Sequence, residues 1–299
     1  IIESITPKKK RKNMLVLSEK ELSTNDRIYK PDFNTRSGRE LLAFYLQTKF
    51  RQLYLYDKKQ DSPVLNLVNP NFVERFARRL INNPSKKLLI GITGESASGK
   101  STICHEIKSV IEKLSMPVTV LSTDNYFNDI SALINKYGSF DSLRDNGYDV
   151  DAPSSFQLET LRTDLERLSE GNDIKAPMYL PNGTGVSVPK AMDVHSQKII
   201  VVEGIATMYD NIQDVFDIKI YVETENELRK NRFMTRAVKE RNQSMENALK
   251  HWHYIADAGE KYVKPFRNQA DLVINGNSDL GYFAKVLQYI YEITNNFQV

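Results

Sequence analysis

Apolar residues fall into two rhythms along this chain, a helical one before residue 87 and, after it, short continuous runs alternating with helical stretches. Leu41, Leu42, Tyr45, Leu46, Phe50 and Leu53 recur at helical spacing. Ser37 and Glu40 have capping-box spacing just ahead of them, which predicts an amphipathic helix from 37 to about 56. A second helix is predicted where Asn69 can cap, Pro70 suits the first turn, and Phe72, Val73, Phe76, Ala77, Leu80 and Ile81 share one face. Residues 1–36 mix charge, Ser, Asn and Pro without period and read as a mobile basic arm, 37–86 as a helical extension, and 87–299 as the main domain, joined at about 82–86.

Within that domain the runs read as strands at 87–93, 118–122, 199–202, 218–222 and 271–274. Helices are expected between them: 100 to about 114; one bearing Leu158, Leu161, Leu165 and Leu168, capped by Ser154 and Gln157; one starting at Leu228, capped by Thr224 and Glu227; and a last one over 278–295. Strand, loop and helix repeated in this way predict an α/β fold with a parallel sheet covered by helices. In such sheets ligands bind at the carboxyl ends of the strands. Asp124 and Glu203 both fall at those ends.

Composition narrows the class. The chain has 299 residues, 40% of them hydrophobic, enough for a sizeable core. No apolar run approaches the roughly 18 residues that would span a bilayer, and the first segment lacks the apolar stretch of a signal peptide, so no membrane association and a cytoplasmic location are expected. The net charge of +3 resides largely in Lys8-Lys-Lys-Arg-Lys12, which leaves the domain nearly neutral and gives no reason to expect nucleic acid as a partner. That basic run has the composition of a nuclear-import signal, and a solvated tail is its plainer reading. Cys104 is the sole cysteine, which excludes an internal disulfide and predicts a packing role. A first residue of Ile suggests a trimmed or partial chain. Oligomeric state is left open, a homo-oligomer included.

The candidate chemistry begins where the first strand of the domain ends. Gly94-Glu95-Ser96-Ala97-Ser98-Gly99-Lys100-Ser101 matches G-x-x-x-x-G-K-[ST], and Thr102 continues into the helical pattern. It reads as the phosphate-binding loop of P-loop nucleotide-triphosphatase folds, whose backbone N–H groups and following helix N-terminus would cradle a polyphosphate, against the plainer reading of a Gly/Ser-rich turn ahead of Lys-Ser. Lys100 would reach the outer phosphates and Ser101 would ligate Mg²⁺. Asp124 is suited to act as general base and to share the metal shell, and Glu203 to close that shell. Arg229, Arg232 and Arg236 share one helix face, with Arg241 following, and suit charge on a transferring phosphoryl group. A solvated basic face is the alternative.

Over about 87–276 these residues resemble the uridine kinase and phosphoribulokinase family of small-molecule kinases. Leu121-Ser-Thr-Asp124-Asn-Tyr-Phe127 looks like the family's strand ending in a catalytic Asp, Asp151-Ala-Pro-Ser-Ser-Phe156 like its Asp-His-Pro-x-x-Phe segment, and Ile200-Val-Val-Glu203-Gly-Ile205 like its Glu-Gly-Ile strand. Phe216-Asp-Ile-Lys-Ile-Tyr-Val-Glu-Thr224, the arginine helix and Val238-Lys-Glu-Arg241 look like its last strand and lid. The resemblance implies an ATP- and Mg²⁺-dependent kinase of a small-molecule alcohol, most closely of a pyrimidine ribonucleoside. Arg232 and Arg236 would then meet the nucleotide phosphates. Asp151 would hold the acceptor's ribose hydroxyls, and Phe127, Tyr179, Arg229 and Arg241 would line the acceptor side.

This chain departs from the family pattern at the acceptor. Tyr179 is followed by Pro181 and Thr184 where uridine-cytidine kinases carry an aromatic and a His that read the base. Ala152 replaces the His of Asp-His-Pro, Phe127 stands where Tyr is usual, and His251 falls near a usual Gln. Ribose selection with weak base selection is the expectation, and a kinase of a sugar phosphate or other hydroxylated metabolite is the alternative. A GTP-hydrolysing switch would need Asn-Lys-x-Asp, whereas Asn135-Lys-Tyr137 is followed by Gly138. A non-catalytic nucleotide-binding module has no need of Lys100, Ser101, Asp124 and Glu203 together.

Overall fold

A computed structural model describes residues 64–277 except 70, 84, 114–116 and 181–182, together with 35–38, 40, 51 and 57–59. Most of the expected helix over 37–56, all of that over 278–295, nearly all of the N-terminal arm, and Pro181 lie outside the described residues.

Eight strands are present among them: β1 Leu65–Val68, β2 Leu88–Thr93, β3 Val118–Ser122, β4 Ile174–Tyr179, β5 Ser187–Val194, β6 Ile199–Glu203, β7 Ile218–Glu223 and β8 Leu272–Asn275. Seven helices accompany them: α1 Phe72–Asn82, α2 Lys100–Lys113, α3 Ser131–Tyr137, α4 Phe140–Asp145, α5 Leu158–Ser169, α6 Asn226–Lys239 and α7 Met245–Ala258. The main sheet has the order β1-β8-β7-β2-β6-β3, parallel except for β1, while β4 and β5 form a separate antiparallel hairpin. The α/β fold with a parallel sheet covered by helices is therefore the observed one.

Strands β2, β6, β7 and β8 carry near-continuous apolar runs because both faces of the sheet are covered. Ile92, Ile200, Val202 and Ile220 are buried, and Leu161, Leu165 and Leu168 of α5 join Leu89, Ile200 and Val202 in one core cluster. A smaller cluster of Phe233, Ala237, Ala248 and Trp252 holds α6 on α7, and another, Ile130, Ile134 and Leu143, holds α3 on α4. Cys104 is buried in α2 as expected, and burial pushes its thiol up to about 12.

Register sets the site. Ile92 pairs with Glu203 and Ser122 pairs with the same Glu203, so β2, β6 and β3 end side by side. The phosphate loop, Glu203 and the turn after Ser122 thus leave the sheet at one edge.

Several expectations need correction. The segment before residue 87 is not purely helical: Leu65–Val68 adds an antiparallel edge strand to the sheet, paired with β8. Helix α1 starts at Phe72, and Asn69 does cap the turn that leads into it as expected: its Oδ1 accepts the Asn71 N–H at 3.0 Å and its carbonyl the Phe72 N–H, while Asn71 makes no side-chain cap. Gln157 is the cap residue of α5 but makes no side-chain cap; its amide donates to the Phe127 carbonyl and to Ser187 instead. Helix α6 begins at Asn226, and the Thr224 hydroxyl donates to the Ser98 carbonyl on the phosphate loop rather than capping. The hairpin β4–β5 and helices α3, α4 and α7 were not anticipated. The hairpin carries Pro177, Gly183, Gly185 and Pro189 and a mostly solvated β5, so it shows no continuous apolar run.

Candidate active site

The phosphate loop turns because three of its residues adopt positive φ: Gly94 at 147°, Ala97 at 63° and Gly99 at 104°. A Cβ on Gly94 would stand 2.4 Å from the Val222 carbonyl, so the loop can press against β7 only with glycine there. Ala97 in the left-handed region is uncommon for a residue with a Cβ. Ser96, Ala97, Gly99, Lys100, Ser101 and Thr102 line a cleft of about 770 Å³. Gly94, Glu95 and Ser98 shape the loop from behind.

Lys100 Nζ lies back along the loop, 2.7 Å from the Gly94 carbonyl and 3.1 Å from that of Glu95. Burial lowers its pKa, while the neighbouring Glu203, Asp124 and Asp151 favour its charged form. Glu203 accepts from Ser122 Oγ at 3.0 Å and from Ser101 Oγ at 3.4 Å. After Glu203 only glycine fits, because a Cβ on Gly204 would fall 1.9 Å from Thr123 Oγ1.

Asp124 sits in the short 3-10 turn Thr123–Tyr126 that follows β3, where Ser122 Oγ accepts its N–H. Tyr126, fully buried, anchors that turn by donating to Asp164 of α5 at 2.9 Å. The cleft leaves Asp124 open to water on one side, yet protein walls it closely elsewhere. Desolvation, then Glu203, pushes its carboxyl up to about 6 against the pull of Lys100 and Arg241. Asp151 is likewise raised to about 6, by desolvation and then by Asp124 and Asp149, with Arg144 and Lys100 opposing. Lys100, Ser101, Asp124, Asp151 and Glu203 all line the same cleft.

From the other side α6 contributes Arg232 and Arg236, and the turn after it Arg241; all three line the cleft. Arg229, expected on the acceptor side, does not. It is buried, its Nη1 donates to Glu95 Oε1 at 2.6 Å and its Nε to the Ser96 carbonyl at 3.0 Å, and it faces Trp252 at 5.5 Å. It braces the loop from outside the cleft. Phe127 lines the cleft and stacks on Phe156 at 4.2 Å. Tyr179 packs against Phe127, 5.3 Å between ring centres, and is not among the lining side chains.

Ser101, Asp124 and Glu203 present only oxygen ligands, which suit a hard cation such as Mg²⁺ that takes one or two carboxylates and completes its shell with phosphates and water. Among the described residues no three His, Cys, Asp or Glu side chains form a self-sufficient metal cage. The residues fit a metal that arrives with a polyphosphate.

His251 was noted in the sequence only as a departure, and it lines the cleft. Burial, then Arg144, lowers it to about 4, so the imidazole is neutral at pH 7. Tyr209 was missed altogether. Its hydroxyl donates to the backbone carbonyl of Asp151 at 2.5 Å, and the hydroxyl is held un-ionised by burial and by Asp151 and Asp149. No local pattern announces such a contact, since its partners lie 58 residues apart.

The model of the phosphoribulokinase / uridine kinase family matches residues 89–280. A uridine kinase of Clostridium novyi (strain NT) is 30% identical over 191 residues, 63% of this chain and 87% of that protein. A uridine kinase of Staphylococcus aureus (strain JH9) is 31% identical over 188 residues, 62% and 86% of the two chains. A solved structure from Silicibacter sp. TM1040, described as a fructose transport system kinase, shares the fold with a TM-score of 0.54 at 18% identity. That likeness covers 67% of this chain and 95% of the other. Among the described residues no helix is long and apolar enough to cross a membrane.

Proposed function

Because the chain belongs to the phosphoribulokinase / uridine kinase family, we propose that it transfers the γ-phosphoryl group of ATP to a hydroxyl of a small molecule, in particular the 5′-hydroxyl of a pyrimidine ribonucleoside. One observation carries the reading: Lys100, Ser101, Asp124, Asp151 and Glu203 converge on a single cleft faced by Arg232, Arg236 and Arg241.

In this reading the loop's N–H groups and Lys100 hold the donor phosphates. Ser101, Glu203 and Asp124 would hold Mg²⁺, which supplies charge neutralisation across the β and γ phosphates. Asp124 accepts the acceptor hydroxyl's proton as that oxygen bonds to the γ-phosphorus. The bond from phosphorus to the β–γ bridging oxygen breaks, and ADP leaves. A carboxyl raised to about 6 is ionised at neutral pH yet basic enough to be an effective proton acceptor. The arginines of α6 and its following turn spread the charge on the moving phosphoryl group. Asp151 accepts hydrogen bonds from two vicinal hydroxyls of the acceptor, which selects ribose.

The test is to incubate the full chain with ATP and Mg²⁺ against ribonucleosides, their 2′-deoxy forms and sugar phosphates, and to follow ADP and product. Uridine or cytidine should be phosphorylated, and the 2′-deoxy forms less well. Turnover of a sugar phosphate with every ribonucleoside ignored would leave a kinase and remove the nucleoside.

A further inference from the structure

Beyond Asp151 the cleft adjoins a second chamber of about 370 Å³, near the lower end of the size range of small-molecule pockets. Asp151, His251 and Ile255 belong to the walls of both spaces. The chamber lies between α4 with its following loop and α7, which are tied together by Lys250 Nζ to Asp145 Oδ2 at 2.8 Å and Tyr254 OH to Asp145 Oδ1 at 2.5 Å. Neither element was among those the sequence announced.

Arg144 is its main donor. The side chain is only 13% exposed, lies about 6 Å from the rings of Phe140 and Tyr254, and has as its ion-pair partner among the described residues only Asp141, at a long 3.4 Å. A guanidinium offers five N–H donors, and Arg144, with one hydrogen-bond acceptor among the described residues, is part of the chamber wall. Asp149 supplies an acceptor on the same wall, 3.9 Å from Lys261, and His251 a neutral ring nitrogen. Tyr148 and Tyr254 add aromatic lining.

The charges discriminate between ligand classes. Arg144 and Lys261 are opposed by Asp149, Asp151 and Asp257 on the same walls. A phosphate group would meet three carboxylates against two cations, and such like-charge juxtaposition is costly. A neutral ring carrying both carbonyl oxygens and an N–H or amino group finds a partner for each. On the hairpin side the described residues are closely packed. There Tyr179 rests on Phe127, and Ile130 and Ile134 press on Gly185 so closely that a Cβ would come within 2.8 and 3.0 Å of them.

We infer that the chamber is the acceptor's second subsite and takes a neutral pyrimidine-type ring, with Arg144 donating to its carbonyl oxygens, Asp149 accepting from its N–H or amino group, and Asp151 holding the ribose at the threshold. This assignment rests on the nucleoside reading above. It moves base recognition from the hairpin to α4 and α7 and disfavours a phosphorylated acceptor.

The experiment compares kcat/KM for uridine with kcat/KM for methyl β-D-ribofuranoside, which keeps the ribose and lacks the base, in wild type, Arg144→Gln and Asp149→Asn. Wild type should prefer uridine, and Arg144→Gln should cut that preference by about ten- to a hundredfold, the size of a lost charge-assisted hydrogen bond. Asp149 is partly exposed, so Asp149→Asn should fold even if Arg144→Gln does not, and it too should lower the ratio, by at least about threefold. If wild type uses ribonucleosides and the ratio moves in no folded variant, or if it is near one in wild type, the subsite assignment is wrong and the nucleoside reading stands. If wild type ignores every ribonucleoside, both fall.

Discussion

Glu95 and Arg229 form a buried ion pair, 2.6 Å from Oε1 to Nη1, that fastens the variable part of the phosphate loop to the first turn of α6. The same helix carries Arg232 and Arg236 into the cleft. Donor cradle and arginine helix are therefore joined outside the cleft, through side chains that touch no substrate in the proposed reaction. Among the described residues Arg229 Nη2 is buried without a hydrogen-bond partner, and the guanidinium lies over Trp252 of α7, which brings that helix into the same joint.

Removing one half of this pair leaves the other charge buried. Glu95→Ala should destabilise the protein by about 3 to 5 kcal/mol, read as a fall in melting temperature, and raise KM for ATP because the loop loses its brace. The double variant Glu95→Leu with Arg229→Met should recover much of the stability, since a buried pair replaced by apolar side chains costs little. Equal melting temperatures for wild type and Glu95→Ala would show that the pair is not a joint.

Lys100→Ala and Asp124→Asn should both abolish transfer and should differ in nucleotide binding. In the proposed reaction Lys100 serves the donor phosphates and Asp124 the acceptor proton, so ATP affinity measured by titration should fall mainly in Lys100→Ala. Loss of a general base lowers kcat by about 10² to 10⁴. Wild-type turnover in Asp124→Asn would remove Asp124 from that role.

Much of this arrangement was legible because the signals are local. The loop 94–101, the acids that end β3 and β6, and the strand runs each occupy a few adjacent residues, and a parallel sheet lines up its strand ends whatever the intervening chain does. What was not legible depends on contacts between distant segments. Arg229 has the same helical spacing as Arg232 and Arg236, and only the packing of α6 on the loop turns it inward to Glu95. Thr224 has the spacing of a cap, yet the Ser98 carbonyl 126 residues away takes its hydroxyl. Strand β1 is four residues long and amid helical signals, so only its pairing with β8 reveals it.

Asp124 and Asp151 are both raised to about 6 in the free protein, which gives a pH signature. In the proposed reaction both must be ionised, so kcat/KM for the acceptor should be flat above pH 7 and fall below about 6 with a slope approaching two. The two carboxyls influence each other, and the inflections belong to the pair. Asp151→Ala should reduce the slope to one and cost one to two decades in kcat/KM on a ribonucleoside.

The same shifts act on stability with a definite sign. A carboxyl whose pKa is raised on folding makes the native state bind more protons than the unfolded chain between about pH 4 and 6. Its contribution is full below pH 4 and lost as the pH rises through 6. Asp151→Asn should therefore melt higher than wild type at pH 8 and no higher at pH 4. A lower melting temperature at pH 8 would contradict the raised carboxyl.

The segment before residue 84 should be indispensable to the kinase fold, because two buried acids of the main sheet depend on it. Arg79 Nε donates to Asp217 Oδ1 at 2.6 Å, both groups are less than 15% exposed, and Asp217 Oδ2 in turn accepts the Leu89 N–H at the start of β2. Burial raises the Asp217 pKa even with Arg79 in place, so losing the arginine leaves that carboxyl both desolvated and unpaired. Arg75 reaches the buried Asp271 at the start of β8, and because that arginine is 43% exposed its pair counts for less. Truncation would also uncover the edge of β8 and remove Phe72 and Phe76, which are fully buried. Breaking one buried pair costs about 3 to 5 kcal/mol and burying each aromatic gives about 1.5 to 3, against a total stability of about 5 to 15. A chain beginning at residue 85 should be insoluble or unfolded by circular dichroism. Arg79→Ala alone should fold with a clearly lowered melting temperature, rising again in Arg79→Ala with Asp217→Asn. If the truncated chain is as soluble and melts as high as the full one, the segment is an appendage and the sheet closes without it.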